Sequence, residues 1–428
     1  MLNAVGFRCA VCGATVDVAT PLPWRCPNAV GGDRHHVLQI VRRMAPLRGV
    51  DDPNPYVSYD VELAWAAFAE ANGMTADARI ALVRELDEAV SVVDGTGFRV
   101  TPFARSDALS DELGFATDGG VWVKDETGNV AGSHKARHLF TALLHLRAAE
   151  VLGLAPWSSA STSPSASDRP SLAIASCGNA ALAAATLARA AEWPIEVFVP
   201  DWADAVVIAR LAELGARITT CERRADDPPG DPTVLRFREV VDAGAIPFSV
   251  QGPENALCLD GGRTIGWEMN EILGHALDRL FVQVGGGAFA ACVGAAFRAA
   301  GVHPVIHAVQ AEGNAPLALA WDRARGDDHP ERRWAEIMTA WPGPRSLADG
   351  ILDDETYDWV GVFEAMKGCG GTPVVAAENL IMRAHELATS TGINVSPTGS
   401  AGLAGLLSIR EQIDDGERVA VIFSGVAG

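Results

Sequence analysis

Lys135 is the residue of this sequence whose position most strongly suggests chemistry. It follows an apolar run at 121–123, which predicts a strand, and a polar turn around Gly128. Ser133 is the expected N-cap of a helix over roughly 136–153, with Lys135 in the first turn. A cation is poorly placed there because a helix N-terminus is already positive. A lysine that forms a Schiff base avoids this penalty, and a solvated surface lysine is the ordinary alternative.

The segment 176–179, Ser-Cys-Gly-Asn, is a second candidate for chemistry. It follows a predicted strand at 172–175 and precedes a predicted helix that ends near 191. Backbone N–H groups at such a turn hold a carboxylate, and the amide of Asn179 hydrogen-bonds a phenolic or carbonyl oxygen. An ordinary N-capped turn is the alternative interpretation.

Three consecutive glycines, 285–287, form another predicted strand-to-helix junction. Their backbone approaches a ligand closely, and the free N–H groups at the helix start favour an anion, most naturally a phosphate. The spacing Gly285-x-Gly287-x-x-Ala290, with Glu312 a little over twenty residues later, also fits a dinucleotide fingerprint. An NAD(P)-dependent oxidoreductase therefore stays open as an alternative.

Ser424 follows the last predicted strand, 419–423, and precedes Gly425. A hydroxyl at the carboxyl end of a strand points into the crevice where open α/β sheets bind ligands. A plain chain terminus is the alternative.

The first forty residues contain a possible metal site. Cys9 and Cys12 form a Cys-x-x-Cys-Gly knuckle, and Cys26 begins a second knuckle whose other cysteine is missing. A histidine would complete the set, so we expect a zinc site with His36, or else the adjacent His35, as the fourth ligand. A degenerate ribbon that folds without metal is the alternative.

Short apolar strands alternate with alanine-rich helices from about residue 172 onwards, which predicts βαβ units and parallel sheets. An amphipathic helical pattern covers 59–93 and is interrupted at Gly73. The segment 156–170 is rich in Ser and Pro and predicts a surface loop. At 428 residues the chain is long enough for two cores.

Composition limits the class of function. The net charge of −20 argues against nucleic-acid binding and against anionic membrane surfaces. We find no apolar run of membrane-spanning length and no signal peptide at the N-terminus. Beyond the N-terminal knuckles, cysteines occur singly, which is typical of reduced thiols in a cytoplasmic protein.

Four elements in this order carry a family resemblance: Lys-Asp-Glu…Gly-Ser-x-Lys, Ser-x-Gly-Asn, the glycine turn and the terminal Ser-Gly. From roughly residue 101 to 424 the sequence resembles the fold type II pyridoxal-phosphate (PLP) enzymes, and most closely their threonine synthase-like branch. The ribbon-like N-terminus is typical of many threonine synthases. The resemblance implies an α/β fold with two three-layer α/β/α domains, each with an open, mostly parallel sheet.

The resemblance also implies roles for individual residues. It makes Lys135 the Schiff-base lysine and the catalytic base. It assigns these residues to the cofactor: His134, Asn179, Gly285, Gly286, Gly287, Ala288 and Ser424. It assigns Ser176, Cys177 and Gly178 to the substrate. Asn255 and Arg263 lie where a threonine synthase has its Asn/Arg/Lys-rich connection and are candidates for binding a substrate phosphate, and a surface salt bridge is the alternative for the arginine.

The sequence departs from threonine synthases near the lysine. They commonly read Ser-Phe-Lys-Asp, whereas this chain reads Ser-His-Lys-Ala, and His134 is similar to the tryptophan synthase β chain. The stretch 394–402 resembles the family's Glu-Pro-x-Gly-Ala-Ala turn but lacks the Glu. These differences indicate a divergent substrate.

We therefore expect a PLP-dependent lyase or synthase that acts on an amino acid by β- or γ-elimination or replacement. The first candidate reaction is threonine synthase-like, from O-phosphohomoserine to threonine or with another activated amino acid, and a serine/threonine dehydratase-like deaminase is the alternative. The resemblance implies a homodimer. It also implies a ribbon at 1–45, a large PLP-binding domain at 46–130 and 256–428, and a small mobile domain at 131–255.

Overall fold

Three sheets organise the protein. The computed structural model describes residues 2–30, 33, 35–43, 45–160, 169–228 and 230–426. The strands within these ranges are β1 (Ala4–Cys9), β2 (Thr15–Asp17), β3 (Leu38–Arg42), β4 (Phe103–Ser106), β5 (Gly120–Asp125), β6 (Leu172–Ala175), β7 (Ile195–Pro200), β8 (Arg217–Cys221), β9 (Ile246–Pro247), β10 (Arg279–Gln283), β11 (Val305–Ala311), β12 (Pro373–Ala376) and β13 (Arg418–Phe423).

Helices cover the faces of these sheets and connect most of the strands. In chain order they are α1 (Pro55–Ser58), α2 (Ala64–Ala71), α3 (Ala76–Asp94), α4 (Asp107–Glu112), α5 (Lys135–Val151), α6 (Asn179–Ala190), α7 (Ala205–Glu213), α8 (Pro232–Asp242), α9 (Cys258–Gly261), α10 (Arg263–Ile272), α11 (Ala288–Ala299), α12 (Pro316–Arg323), α13 (Trp334–Ile337), α14 (Trp359–Lys367), α15 (Glu378–Ser390) and α16 (Pro397–Ile409).

The largest sheet has the strand order β12-β11-β10-β13-β5-β4. Its pairs are parallel except β4 with β5, which is antiparallel at one edge. Its central strands are almost entirely buried because helices cover both faces, which explains why they are continuously apolar in sequence. Strands β10 and β13 are parallel neighbours. The glycine turn and Ser424, which follow these strands, therefore lie side by side at their carboxyl ends.

A second, fully parallel sheet has the order β8-β7-β6-β9. It is built from residues between 172 and 247, and the turn at 176–179 leaves its central strand β6 at the carboxyl end. Two parallel sheets with crossover helices confirm the predicted α/β class. The third sheet is the antiparallel ribbon β2-β1-β3 at the N-terminus.

Helix α5 runs through the largest hydrophobic core. Leu139, Phe140, Leu143 and Leu146 are all 0% exposed. The helical stretch Lys135–Ser158 is long and apolar enough to cross a membrane, yet 67% of its apolar window is buried inside the protein. Its hydropathy is therefore explained by its place in the core. No other described helix reaches that length and hydropathy.

The same core also includes residues of α2 and α3, which the sequence analysis assigned to the large domain. Both helices contact α5, and α3 also contacts α6, which covers the smaller sheet. The division into units at 1–45, 46–130 with 256–428, and 131–255 stays a prediction.

Element boundaries agree closely with the sequence patterns. The predicted strand at 172–175 coincides with β6, and the interruption at Gly73 separates α2 from α3 with φ +95°. The predicted loop at 156–170 begins with a short 3-10 helix, Pro156–Ala160, and residues 161–168 lie outside the described ranges.

Candidate active site

The chain has lysines at 124, 135 and 367, and one of them is placed for chemistry. Lys124 is fully buried and forms an ion pair with Glu268. Lys367 is exposed on α14, near the ring of Phe363. Lys135 is the first residue of α5 and is partly buried, and its amine has no hydrogen bond or ion pair with any described residue. Its amine is therefore the one lysine nitrogen that is both enclosed and unpaired.

The surroundings of Lys135 favour its neutral form. Burial lowers the pKa of this amine below its ordinary value, while Asp353, Cys258 and Asp358 act in the opposite direction. The neighbouring His134 is fully enclosed, and burial together with Lys135 holds its pKa well below the usual range. An unprotonated amine is the form that attacks a carbonyl carbon or accepts a proton.

Ser133 is not the N-cap of α5, so that prediction is wrong. Its backbone is extended, with φ −159° and ψ 162°, and it forms an isolated antiparallel bridge with Gly425. The N–H of His134 donates to the carbonyl of Ser424 at 3.0 Å, and α5 has no side-chain cap. A contact with the distant end of the chain, and not a local capping motif, therefore places Lys135 at the helix start.

The turn 176–179 lies beside the same chain end. The amide nitrogen of Asn179 donates to the carbonyl of Val426 at 3.0 Å, and its Oδ1 is buried with no partner among the described residues. Helix α6 starts after Gly178 without a side-chain cap, and a Cβ added at Gly178 would meet open space. Ser176 and the partly buried Cys177 complete the turn. The backbone N–H groups at the start of α6 are therefore not capped by a side chain, and they face open space in which a ligand can bind.

The glycine turn 285–287 joins β10 to α11 and leaves no room for side chains. Gly287 has φ +95°, and a Cβ there would lie 2.8 Å from Cγ2 of Thr356. A Cβ on Gly286 would lie 3.2 Å from the ring of Tyr357. Helix α11 also begins without a side-chain cap. The turn is therefore a cradle of backbone N–H groups, the arrangement that binds phosphate.

An acidic strap, residues 352–358, covers the glycine turn, and the sequence analysis missed it. The N–H of Gly286 donates to the Asp353 carboxylate, and the N–H of Asp358 donates to the carbonyl of Gly286 at 2.7 Å. Burial raises the pKa of Asp353 to about 6, although Lys135 opposes the shift. The acidic run at 353–355 is visible in sequence, but nothing local pairs it with a glycine almost seventy residues earlier.

Ser424 is held at the edge of the large sheet by Gln283, the last residue of β10. Nε2 of Gln283 donates to Oγ of Ser424 at 2.7 Å, and also to the carbonyl of Gly399 at 2.8 Å. Because Oγ accepts this bond, its own O–H remains available as a donor. His134 stacks on Phe289 with ring centroids 4.1 Å apart. His134 therefore has a packing role between α5 and α11.

The two residues predicted to hold a substrate phosphate do not lie free in this crevice. Asn255 is 0% exposed, and its amide donates to the carbonyl of Pro247 and accepts from the N–H of Leu257. Its hydrogen-bonding groups are therefore occupied by the backbone. Arg263 lines a different cavity, whose lining residues do not include Lys135 or the glycine turn. The sequence shows that an arginine is present, but the direction of its side chain depends on how α10 packs in the fold.

A cluster of buried ion pairs, formed by Lys124, Glu126, Arg137 and Glu268, holds the first turn of α5 in place. Arg137 is 0% exposed and contacts Glu126 at 2.8 Å and Glu268 at 2.5 Å. Lys124 pairs with Glu268, and Thr101 donates to Glu126. Two cations and two carboxylates balance, so each buried charge has a partner. The cluster joins β5, α5 and α10 two residues away from Lys135.

The N-terminal ribbon gathers its predicted ligands. The ligand atoms of Cys9, Cys12, Cys26 and His36 all lie within 4.8 Å of one another. Sγ of Cys12 and Sγ of Cys26 are 3.5 Å apart, and Sγ of Cys9 is 3.4 Å from Nδ1 of His36. His35 points elsewhere, stacked on an indole with ring centroids 4.0 Å apart. The structure thus distinguishes between the two histidines that the sequence left open.

Comparisons with known proteins agree with this arrangement. The family model for "Pyridoxal-phosphate dependent enzyme" matches residues 95–425. The threonine synthase of Methanosarcina acetivorans is 25% identical over 74% of this chain and 70% of its own length. The L-threo-3-hydroxyaspartate ammonia-lyase of a Pseudomonas species is 26% identical over 76% of this chain and 89% of its own length.

Solved structures show the same fold. Maize serine racemase has a TM-score of 0.59 at 19% identity, covering 82% of this chain and 93% of its own. Threonine deaminase isoform 2 from Solanum lycopersicum has a TM-score of 0.61 at 18% identity, covering 90% of this chain and 95% of its own. The predicted fold, PLP cofactor and amino-acid lyase or synthase class are confirmed, and the dinucleotide alternative is not supported. The chain belongs to the pyridoxal-phosphate dependent enzymes.

Proposed function

We propose that this protein is a threonine synthase-like PLP-dependent lyase in which Lys135 carries the cofactor and moves the substrate proton. The enclosed, unpaired amine of Lys135 is the observation that supports this most strongly. Lys124 and Lys367 are excluded by their ion pair and by their exposure, respectively.

The residues present fit the cofactor. The glycine turn would hold its phosphate through the backbone N–H groups of Gly285, Gly286, Gly287 and Ala288, since α11 begins there without a side-chain cap. The amide nitrogen of Asn179 donates one N–H to the carbonyl of Val426 and would donate the other to the ring oxygen. The O–H of Ser424 would donate to the ring nitrogen. His134 would support this arrangement by packing on Phe289.

When bound, PLP withdraws electrons from the carbon that carries the substrate amine. Lys135 would then accept the proton from that carbon, because burial lowers the pKa of its amine and thereby favours the neutral form, which is the form that acts as a general base. The uncapped start of α6, with Ser176, Cys177 and Gly178, would hold the substrate carboxylate. Fixing the carboxylate orients the bond that breaks.

The reaction type follows from the partner of the ring nitrogen. A neutral serine hydroxyl donates a hydrogen bond without transferring a proton, unlike a carboxylic acid partner. With Ser424 as this partner, the site would leave the ring less electron-withdrawing and would favour elimination or replacement at Cβ or Cγ over transamination. Gln283 fixes this hydroxyl at 2.7 Å from its own amide.

Two substrate classes remain as proposals, each with its own support. Similarity to threonine synthases favours O-phosphohomoserine. The occupied amide of Asn255 and the placement of Arg263 in another cavity favour a substrate without phosphate, such as a hydroxy amino acid. Known relatives include ammonia-lyases that act on L-threonine and L-threo-3-hydroxyaspartate.

Reduction with borohydride tests the role of Lys135. We expect the purified protein to be yellow, the reduced protein to retain the cofactor, and peptide mass analysis to find it on Lys135. Lys135→Ala should lose this covalent attachment, while the matched control Lys367→Ala should keep it. Attachment to Lys124 or Lys367 in the wild-type protein would overturn the proposal. Incubation with O-phosphohomoserine, serine and threonine distinguishes the substrates by release of phosphate or formation of a keto acid.

We also propose that the ribbon binds one structural zinc ion through Cys9, Cys12, Cys26 and His36. Three thiolates and one imidazole are a common tetrahedral zinc set, and the ligand atoms are already gathered. Nε2 of His36 lies 3.0 Å from Asp33, and a carboxylate in that position orients a metal-bound imidazole.

The remaining proposals concern the whole protein. We propose a homodimer and a cytoplasmic location, on the strength of the family resemblance and of the unpaired cysteines. We propose that the smaller sheet and its helices, within 131–255, close over the substrate to exclude water. Light scattering on the purified protein measures the subunit number, and a monomeric mass would contradict the proposed homodimer.

A further inference from the structure

A second cavity lies between the N-terminal ribbon and the large sheet. Its volume is about 230 Å³, enough for a small organic molecule and not just one water. Strand β3 forms one wall, and α9, α10, α11 and α14 contribute to the others. The described residues that line it include neither Lys135, Asn179, Ser424 nor the glycine turn.

Arg263 directs an unpaired charge at this cavity. It is 6% exposed, and its Nε donates to the carbonyl of Leu259 at 3.2 Å. No described residue forms an ion pair with it or accepts a hydrogen bond from its terminal nitrogens. A guanidinium stays charged, so a buried one needs acceptors that the described side chains do not supply.

The other charges at the cavity do not neutralise Arg263. Arg42 is already paired with Glu62 and lies 5.2 Å from the ring of Trp267. Arg298 contacts Glu364 at 3.3 Å, and its Nη1 is buried with no partner among the described residues. These arginines add positive potential beside Arg263 instead of reducing it.

Each of the two carboxylates nearby, Asp260 and Asp358, engages one oxygen with backbone groups, and its Oδ1 is buried with no partner among the described residues. Oδ2 of Asp260 accepts from the N–H groups of Ala64 and Trp65, at 2.8 and 3.1 Å. Oδ2 of Asp358 accepts from the N–H of Gly252 at 3.0 Å. Apolar side chains complete the walls, among them Val37, Ile40 and Leu259.

We propose that this cavity is a second ligand site, which binds a small organic anion whose carboxylate or phosphoryl group is held by Arg263 and Arg298. The apolar wall would take a short hydrocarbon part of the same molecule. The site is separate from Lys135, Asn179, Ser424 and the glycine turn, and it meets the acidic strap at Asp358, which forms part of the cavity wall. The ribbon contributes β3 to it, which gives this small sheet a binding role.

Calorimetric titration of the PLP-loaded full-length protein tests the site with amine-free probes, which do not condense with the cofactor. Isobutyrate and isobutyl phosphate distinguish a carboxylate from a phosphoryl ligand, and isobutyramide is the uncharged control. We expect at least one anion to bind and the amide not to. Binding of all three with equal affinity, or of none, would overturn the proposal.

Variants locate the binding. Arg263→Gln should weaken anion binding by at least about tenfold, the effect of losing a charge-assisted hydrogen bond. Ala295→Leu, which fills the cavity from α11 and keeps every arginine, should weaken it similarly and guards against misfolding of the first variant. Arg325→Gln, whose side chain is 79% exposed elsewhere, is the matched control and should bind normally. Unchanged binding in Ala295→Leu would place the anion outside this cavity.

Discussion

The carboxylate of Asp353 occupies a donor that a cofactor phosphate also needs. The N–H of Gly286 points at this side chain, and burial raises the pKa of Asp353 to about 6. Above that pH the charged Asp353 carboxylate and the cofactor phosphate would compete for the same N–H group. Below it the Asp353 side chain is neutral and the repulsion between the two groups is lost. The residue is therefore a charge-dependent competitor built into the acidic strap.

Asp353→Asn should strengthen PLP binding to the cofactor-free protein by at least about fivefold above pH 7, since one nearby like charge costs about 1 kcal/mol or more. The difference from wild type should shrink as pH falls through about 6, because the native carboxyl then becomes protonated. Absorbance titration with PLP at several pH values measures both effects. Asp322→Asn on α12, with a side chain 66% exposed, is the control, and an affinity ratio independent of pH would contradict the idea.

The same residue has a consequence for stability. Because its pKa in the folded protein is above the ordinary value of 3.8, the folded state binds the proton more tightly. The contribution of Asp353 to the free energy of unfolding is therefore present below about pH 4 and is lost as pH rises through about 6.

Residues were predictable where local sequence decides their conformation. Gly285–Gly287 and Gly178 were found because a strand followed by glycine and a helix is a local pattern. Ser133 was misassigned because its partner, Gly425, is almost three hundred residues away. The substrate roles of Asn255 and Arg263 stay predictions, because residue type does not reveal which way a buried side chain points. Asp353 was missed for the same reason.

Among the elements, α11 connects the two binding regions, and glycines with positive φ lie at both of its ends. Gly287 has φ +95° and faces Thr356, whereas Gly301 has φ +72° and nothing within 4 Å of an added Cβ. Both would suffer the backbone strain of an L side chain, about 1–2 kcal/mol. Only the first would also obstruct the phosphate cradle.

Gly287→Ala should lose most PLP affinity, while Gly301→Ala should lose stability to a similar extent and keep the cofactor. Thermal unfolding measures the loss of stability that the strain causes in each variant. Absorbance of bound PLP measures how much cofactor affinity each variant retains. Equal cofactor loss in both variants would mean that the effect is strain alone.

Helix α5 depends on the ion cluster beneath it. Burial alone would raise the pKa of Glu268, but Arg137 and Lys124 more than offset this and lower it. Arg137→Met would leave Glu126 and Glu268 with one cation between them. We expect a loss of about 3–5 kcal/mol in the free energy of unfolding, the usual cost of breaking a buried pair.

Urea unfolding measures this loss. Arg383→Met is the matched control, because Arg383 forms an ion pair with Glu112 on the surface and should contribute less than about 1 kcal/mol. The strand-and-helix alternation predicted the elements that meet here. It did not predict the cluster, because its members come from β5, α5 and α10, which only the fold brings together.

For the whole molecule, the ribbon is attached to the catalytic body through specific contacts. The N–H of Ala256 donates to the carbonyl of Trp24 at 2.9 Å, and Arg25 pairs with Glu254. These ribbon residues directly precede Cys26, a proposed zinc ligand, and their partners precede α9. The proposed metal site is therefore connected to the segment that leads into α9, where Cys258 opposes the lowering of the Lys135 pKa.

Cys26→Ser should remove the metal and loosen this attachment. Because the proposed zinc ion would tie β1 to the segments that carry Cys26 and His36, we expect the loss of about one zinc per chain and a lower unfolding temperature. Metal analysis and calorimetry measure the two effects. Cys369→Ser, which changes a partly buried cysteine outside the ribbon, should retain the zinc. A wild-type protein purified without chelators and free of zinc would show that the gathered thiols of the ribbon fold without an ion.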